Sequence, residues 1–283
     1  MDLSKYLPIG ADIETIPSQN QDIIEALKLS SAYKVPECTL TKPELIKALE
    51  GQPYPTAGLN VGDLKKLYMD EFGGEMAAKA FEKEYRRLSF SALDGGEVIS
   101  ASAYPFGMGE AVNKFRWLEL GTPETNMLPV AGGPSEGDII DAYFRWFDKC
   151  HDFAKTQNKQ ILIVGANIKN FDFKFLSRRA LFLGVDLPKF PLVDSGYVSK
   201  RYFDVIEVFG FYDRQDKVKL AKICKFLGIE TPKCDEFGEI DGSMVYDIWA
   251  NNGKEGAQRI AEYNKRDCTV LEPIFNKLHW LVA

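Results

Sequence analysis

Hydrophobic and polar positions change their period several times along the chain, and each change marks an element. "YLPIGADIE", residues 6–14, is an apolar run ending in acids, the pattern of a buried strand whose last residues emerge at a sheet edge. "EVISASAYPF" and "KFRWLEL" read as the next two strands, parted by a turn around Gly107 and Gly109, and predict two antiparallel neighbours for the first strand. Ser135 opens a helix whose apolar residues Ile139, Ile140, Tyr143, Phe144, Phe147, Cys150 and Ala154 share one face. "QILIVGAN" is a fully apolar strand, followed by "NFDFKFLSRRALFLG", a helix closed by Gly184. "RYFDVIEVF" passes from strand into helix, and "VKLAKICKFLG" is a short amphipathic helix stopped by Gly228. The last ~30 residues keep helical spacing. This order predicts an α/β layer fold with a mixed sheet.

Residues 30–87 depart from that plan. "TKPE", Thr41 to Glu44, is a capping-box pattern that starts a short helix, and "VGDLKKLYMDEFGGEMAAKAFEKEYRRL" is charge-rich and helical apart from Gly73 and Gly74. The segment reads as a helical insertion in a single domain spanning 1–283, serving as a substrate lid, an oligomer contact or a partner arm. A length of 283 residues suits one large domain or one domain with an insertion.

Composition narrows the class. No stretch approaches membrane-spanning length, and the first residues lack the basic start and apolar run of a signal peptide, so a cytoplasmic protein with no membrane partner is expected. Five cysteines form no CxxC pair and only His151 and His279 are present, too few ligands for a structural zinc site. A net charge of −6 argues against a protein that coats nucleic acid electrostatically. Yet residues 169–225 hold twelve basic against seven acidic side chains, a local excess of +5. Either a phosphate-binding surface or a solvated helix face explains it.

Three short blocks carry candidate chemistry. In "GADIET", Asp12 and Glu14 are alternate residues of a strand and share a face, while Ile13 points into apolar packing. In "GANIKNFDFKFL", Asp172 falls in the first turn of a helix, where the helix dipole favours a carboxylate even without a metal. Phe171 there could stack a base, and Asn167 could cap the preceding turn or bond a terminal nucleotide. In "EYNKRD", Tyr263 and Asp267 lie four apart on one helix face, an arrangement that a buried tyrosine with a hydrogen-bonded aspartate also explains. Four carboxylates on a strand end, a helix start and a helix face can gather around divalent cations and hydrolyse a phosphodiester.

In these three blocks the chain resembles the DEDD-type 3′-to-5′ exonucleases of the ribonuclease H-like fold, in the tyrosine subclass related to the proofreading domain of family-B DNA polymerases. "ADIET", "GANIKNFDFKFL" and "YNKRD" match that family's three motifs, and "ALDGGEVISASA", "RYFDVIEVFG", "LAKICKFLGI" and "DGSMVYDIW" follow its stand-alone members in bacteria and their phages. The histidine subclass places His five residues before the last Asp, where this chain has Glu262. The resemblance implies a ribonuclease H-like mixed five-stranded sheet flanked by helices, and one 3′-to-5′ exonuclease domain. It also implies two Mg²⁺ or Mn²⁺ ions held by Asp12, Glu14, Asp172 and Asp267, with Tyr263 orienting the attacking water. Ile13, Thr15, Asn167 and Phe171 would bind substrate, and Asp204 would lie close by, outside the ligand set. Lys222, Lys225 and Lys233 are candidates for phosphate contacts by charge and position. The implied partners are single-stranded nucleic-acid 3′ ends, DNA first, and a separate replication or repair polymerase. An exoribonuclease or small-oligonucleotide hydrolase would use the same site, and a non-catalytic nucleic-acid-binding protein would share the fold alone.

Overall fold

In this computed structural model the first apolar run extends into an eleven-residue strand, β1 (Tyr6–Ile16). Antiparallel to it runs β2 (Glu97–Pro105), which pairs on its far side with β3 (Val112–Phe115). Trp117–Glu119 (β4) and Val130–Gly132 (β5) form a separate antiparallel pair. Strand β6 (Gln160–Gly165) lies parallel to β1 and β7 (Tyr202–Asp204) parallel to β6, so the main sheet reads β3-β2-β1-β6-β7. Cys234–Asp235 (β8) and Gly238–Glu239 (β9) make a short third pair. The structure describes residues 2–31, 37–53, 56–119, 130–190, 201–213, 218–232, 234–235 and 238–282.

The expected mixed α/β sheet is present, with one correction. Strand β1 has a single antiparallel neighbour, because β3 pairs with β2 and the parallel strand β6 takes β1's other edge. Residues 161–165 are all buried, as a strand covered on both faces requires. "KFRWLEL" also divides, with Phe115 ending β3 and Trp117 opening β4. Between them Arg116 is buried, donates its N–H to Ile99 O at 2.9 Å and pairs with Glu97 at 3.0 Å. Alternation alone does not reveal that a buried ion pair interrupts the run.

The chain divides into two compact units, Met1–Ile16 with Gly96–Ala283, and Pro17–Gly95. The expected 30–87 insertion falls within the second, which contains α1 (Gln21–Ser31), α2 (Lys42–Ala48) and α3 (Val61–Arg87). Thr41 donates its N–H and its hydroxyl to Glu44 Oε2, both at 2.7 Å, at the start of α2. Cys38, Leu45, Leu49 and Leu64 form a small core. The expected interruption at Gly73 and Gly74 is absent, since α3 runs through both. Asn60 caps its start by accepting the Asp63 N–H, and i,i+4 pairs such as Glu82–Arg86 support its exposed face.

In the first unit, α4 (Glu136–Thr156) starts from Ser135, whose hydroxyl oxygen accepts the Asp138 N–H at 3.1 Å, and buries Ile139, Ile140, Tyr143, Phe144, Phe147 and Ala154. Helix α5 (Asp172–Leu183) ends at Gly184, left-handed at φ 70°. Glu136 ties these helices to the sheet. It pairs with Arg179 through two bonds of 2.9 and 2.6 Å and accepts the Val98 N–H at 2.8 Å. Helices α6 (Val205–Phe209) and α7 (Leu220–Leu227) precede α8 (Val245–Leu278), which Gly253 breaks at φ 53°, ψ −135°.

Leu271, Ile274, Phe275 and Leu278 of α8 pack on Leu162, Val164 and Phe203 of the sheet. Burying each such side chain stabilises by about 1.5–3 kcal/mol, so this face anchors the helix. Gly10 sets how closely α8 approaches, because a Cβ there would stand 2.6 Å from Cys268 O. The third sequence block is thereby laid directly against the first.

Candidate active site

Asp12 and Glu14 project from the same side of β1, and Asp267 reaches them from α8. One carboxylate oxygen from each lies within 4.8 Å of the others. The β1–β2 register shifts at this point, with Glu14 opposite Ser100 and Thr15 opposite Val98, leaving Ile99 as the extra residue. A bulge bends the ladder and re-aims neighbouring side chains, here beside the acids.

Asp172 is 2 % exposed and accepts the Ile13 N–H at 3.1 Å. The carboxylate therefore crosses from α5 to the strand segment between Asp12 and Glu14, a role that capping its own helix does not describe. It adjoins the three clustered acids without joining their ligand group. Tyr263, one turn before Asp267 on α8, is buried and hydrogen-bonded to it. The structure thus brings together Asp12, Glu14, Asp172, Tyr263 and Asp267.

The remaining site candidates sit around this group. Ile13 is buried and contributes its backbone N–H, and Thr15 is half-buried on the same strand. Phe171 is half-buried, with its ring 5.4 Å from that of Phe175. Asn167 is left-handed at φ 64°, and its carbonyl accepts the N–H groups of Asn170 and Phe171, so its backbone makes the turn while its side chain is exposed. Its own N–H donates to Asp204 Oδ1 at 3.0 Å. Asp204 also caps α6, accepting from Ile206 and Glu207, which gives it a role in holding the turn before Asp172.

Electrostatically the cluster is unbalanced. Burial first, then the charges of Asp172, Glu14 and Asp267, push the Asp12 carboxyl well above the usual range. Burial pushes Asp172 up to about 7, against the lowering effect of its backbone hydrogen bonds. Burial and the nearby acids raise Tyr263 as well, so it stays a neutral phenol and a hydrogen-bond donor.

Asn264, next to Tyr263 in the third block, escapes sequence reasoning. It is fully buried and donates from Nδ2 to Asp12 Oδ2 at 2.6 Å. Its Oδ1 accepts from Ser100 Oγ at 3.1 Å and Asn113 Nδ2 at 3.2 Å, and Asn113 also donates to Ser100 and Ser102. The available signal was Ser100 and Ser102, two polar residues on one face of an otherwise apolar strand.

The expected basic surface is smaller than its residues suggest. Arg179 is buried against Glu136, and Lys169 pairs with Glu207 at 3.5 Å. Lys200, Arg214, Lys217 and Lys233 lie outside the described residues, while Lys222 and Lys225 are exposed on α7.

The donor set fits a hard divalent cation. Asp12, Glu14 and Asp267 offer three close carboxylate oxygens, the ligands that Mg²⁺ and Mn²⁺ favour, and the charges that raise Asp12 most are those of Asp172, Glu14 and Asp267. Among the described residues, no helix is long and apolar enough to cross a membrane.

Comparison with curated proteins by sequence returns no match. Among solved structures the chain resembles a family B DNA polymerase from the hyperthermophilic archaeon Pyrobaculum calidifontis, at 22% identity and a TM-score of 0.45. The likeness covers 65% of this chain and 22% of the polymerase. Residues 138–279, which include β6, α5 and the Tyr263–Asp267 segment, match the RNase_H superfamily (RNase_H_2). That span, together with the mixed five-stranded sheet, places the chain in the ribonuclease H superfamily.

Proposed function

We propose that the protein is a metal-dependent 3′-to-5′ exonuclease that releases nucleoside 5′-monophosphates from single-stranded DNA. The observation that carries this reading is the gathering of Asp12, Glu14 and Asp267 within 4.8 Å, with Asp172 bonded to the strand between the first two. Asp12, Glu14 and Asp267 would hold one divalent ion, and Asp172 would help to hold a second. Such ions would activate the attacking water and offset the charge that builds on the scissile phosphate and the departing 3′ oxygen.

The protein's own groups divide the remaining work. Asn264 fixes the orientation of Asp12, and the Ile13 N–H fixes that of Asp172. Tyr263, kept protonated by its surroundings, presents a hydroxyl that orients the water without removing its proton. Thr15, Asn167 and Phe171 would line the approach for the terminal nucleotide, whereas Ile13, expected there as well, is buried and gives its N–H to Asp172.

Strands labelled at the 5′ or the 3′ end, incubated with Mg²⁺ or Mn²⁺ and with EDTA as control, test the proposal. Stepwise shortening of 5′-labelled DNA with immediate release of the 3′ label is expected. Internal cleavage, or hydrolysis of RNA or dinucleotides in preference to DNA strands, rejects it.

A further inference from the structure

Just beyond α6 the backbone places two aromatic residues in succession in the left-handed region, Phe211 at φ 51° and Tyr212 at φ 61°. Bulky residues avoid this conformation, and such strain persists where the surroundings enforce it. Here the turn is closed by Phe211 N–H to Val208 O at 3.1 Å and Tyr212 N–H to Glu207 O at 2.7 Å. Its result is a division of labour. Tyr212 packs against the core formed by the sheet and α8, while Phe211 is left 77 % exposed.

A second exposed aromatic lies on the adjoining helix. Phe226 of α7 is 77 % exposed, and its ring stands edge-on to Phe209 of α6 at 5.4 Å. Phe226 follows Lys222 by one helical turn, so both occupy the same exposed face, and Lys225 and Lys219 are exposed beside them. Helix α7 carries no acid, and none of these three lysines has an ion pair among the described residues. The opposite face of α7 is buried through Ile223 and Cys224, which share a core with Val270, Leu271 and Ile274 of α8. Helix α7 therefore packs on the helix that carries Asp267, about one turn further along it.

We infer that Phe211 and Phe226, with Lys222 and Lys225, form a platform for single-stranded nucleic acid leading to the carboxylates. Aromatic faces stack unpaired bases of any sequence and lysines offset the phosphates, a combination that suits a single strand better than a duplex or an apolar protein partner. The platform deepens the nuclease reading, resting on it for what happens at the strand's end. Strand capture itself requires no hydrolysis.

Fluorescence anisotropy of a labelled oligothymidylate of about twelve nucleotides, in EDTA at low salt, tests the platform with the full chain. Phe211→Ala and Phe226→Ala should each weaken binding about tenfold. Phe153→Ala, at an exposed aromatic of α4, should leave it unchanged. Lys222→Ala and Lys225→Ala should each reduce the slope of log affinity against log salt by about 0.7. Equal affinity of the wild type and both phenylalanine variants overturns the inference, as does equal affinity of the wild type for duplex. If the wild type captures the strand by these residues but never cleaves it with Mg²⁺, the platform stands and the nuclease reading fails.

Discussion

The amide of Asn264 donates to Asp12 Oδ2 at 2.6 Å, and no solvent reaches it. One oxygen of Asp12 is thus held by the protein, which leaves the carboxylate a fixed direction in which to present the other. Asn264→Ala frees Asp12 and strips Ser100 and Asn113 of an acceptor. Mn²⁺ affinity, followed by electron paramagnetic resonance, should fall roughly 10- to 100-fold. Stability should fall by about 1–3 kcal/mol in urea unfolding. Unchanged Mn²⁺ affinity in the folded variant removes Asn264 from the site.

Asp12→Ala and Asp267→Ala test the cluster itself. Each should abolish metal-dependent hydrolysis without unfolding the protein in EDTA, because the relief of repulsion among buried acids offsets the hydrogen bond lost by Asn264 or Tyr263. Tyr263→Phe retains the ring and loses the hydroxyl, so its rate should fall by roughly 10² to 10⁴. Full activity in the phenylalanine variant removes the hydroxyl from the mechanism.

The burial of Asp172 sets a pH dependence. Folded Asp172 keeps its proton to about pH 7, whereas in the unfolded chain it ionises near ~3.9. Between those values the folded state binds more protons, and the raised Asp12 carboxyl acts in the same direction, so without divalent ions stability declines as pH rises from about 4 through about 7. Thermal unfolding in EDTA should show a lower midpoint at pH 8 than at pH 5.5. Mn²⁺ should raise the midpoint more at pH 8, where the carboxylates are free to bind it. Asp172→Asn should make the EDTA profile less steep.

Much of this site was legible because period and spacing act locally. Alternation put Asp12 and Glu14 on one face, the i,i+4 spacing paired Tyr263 with Asp267, and Gly184 and Gly228 stopped their helices as expected. What stayed hidden depends on residues distant in sequence. That β3 pairs with β2, that Asp172 bonds the strand between the other acids, and that Asn264 holds Asp12 are all set by tertiary packing. Arg179 looked like part of a basic surface because its buried partner Glu136 lies 43 residues earlier.

Two glycines should respond to alanine in opposite directions. Gly74 is exposed within α3, and a Cβ there meets nothing within 4 Å. Its replacement removes only the backbone entropy that glycine loses in a helix, so Gly74→Ala should stabilise by about 0.5–1 kcal/mol. At Gly10 a Cβ would stand 2.6 Å from the Cys268 carbonyl oxygen, and backbone cannot swing aside as a flexible side chain does. Gly10→Ala should therefore cost about 1–3 kcal/mol and push α8 from β1, carrying Asp267 away from Asp12. Urea unfolding measures both signs, and Mn²⁺ titration of the folded Gly10→Ala protein reads the separation directly. A stable Gly10→Ala protein with wild-type Mn²⁺ affinity would show that the close approach of α8 does not set the geometry of the carboxylates.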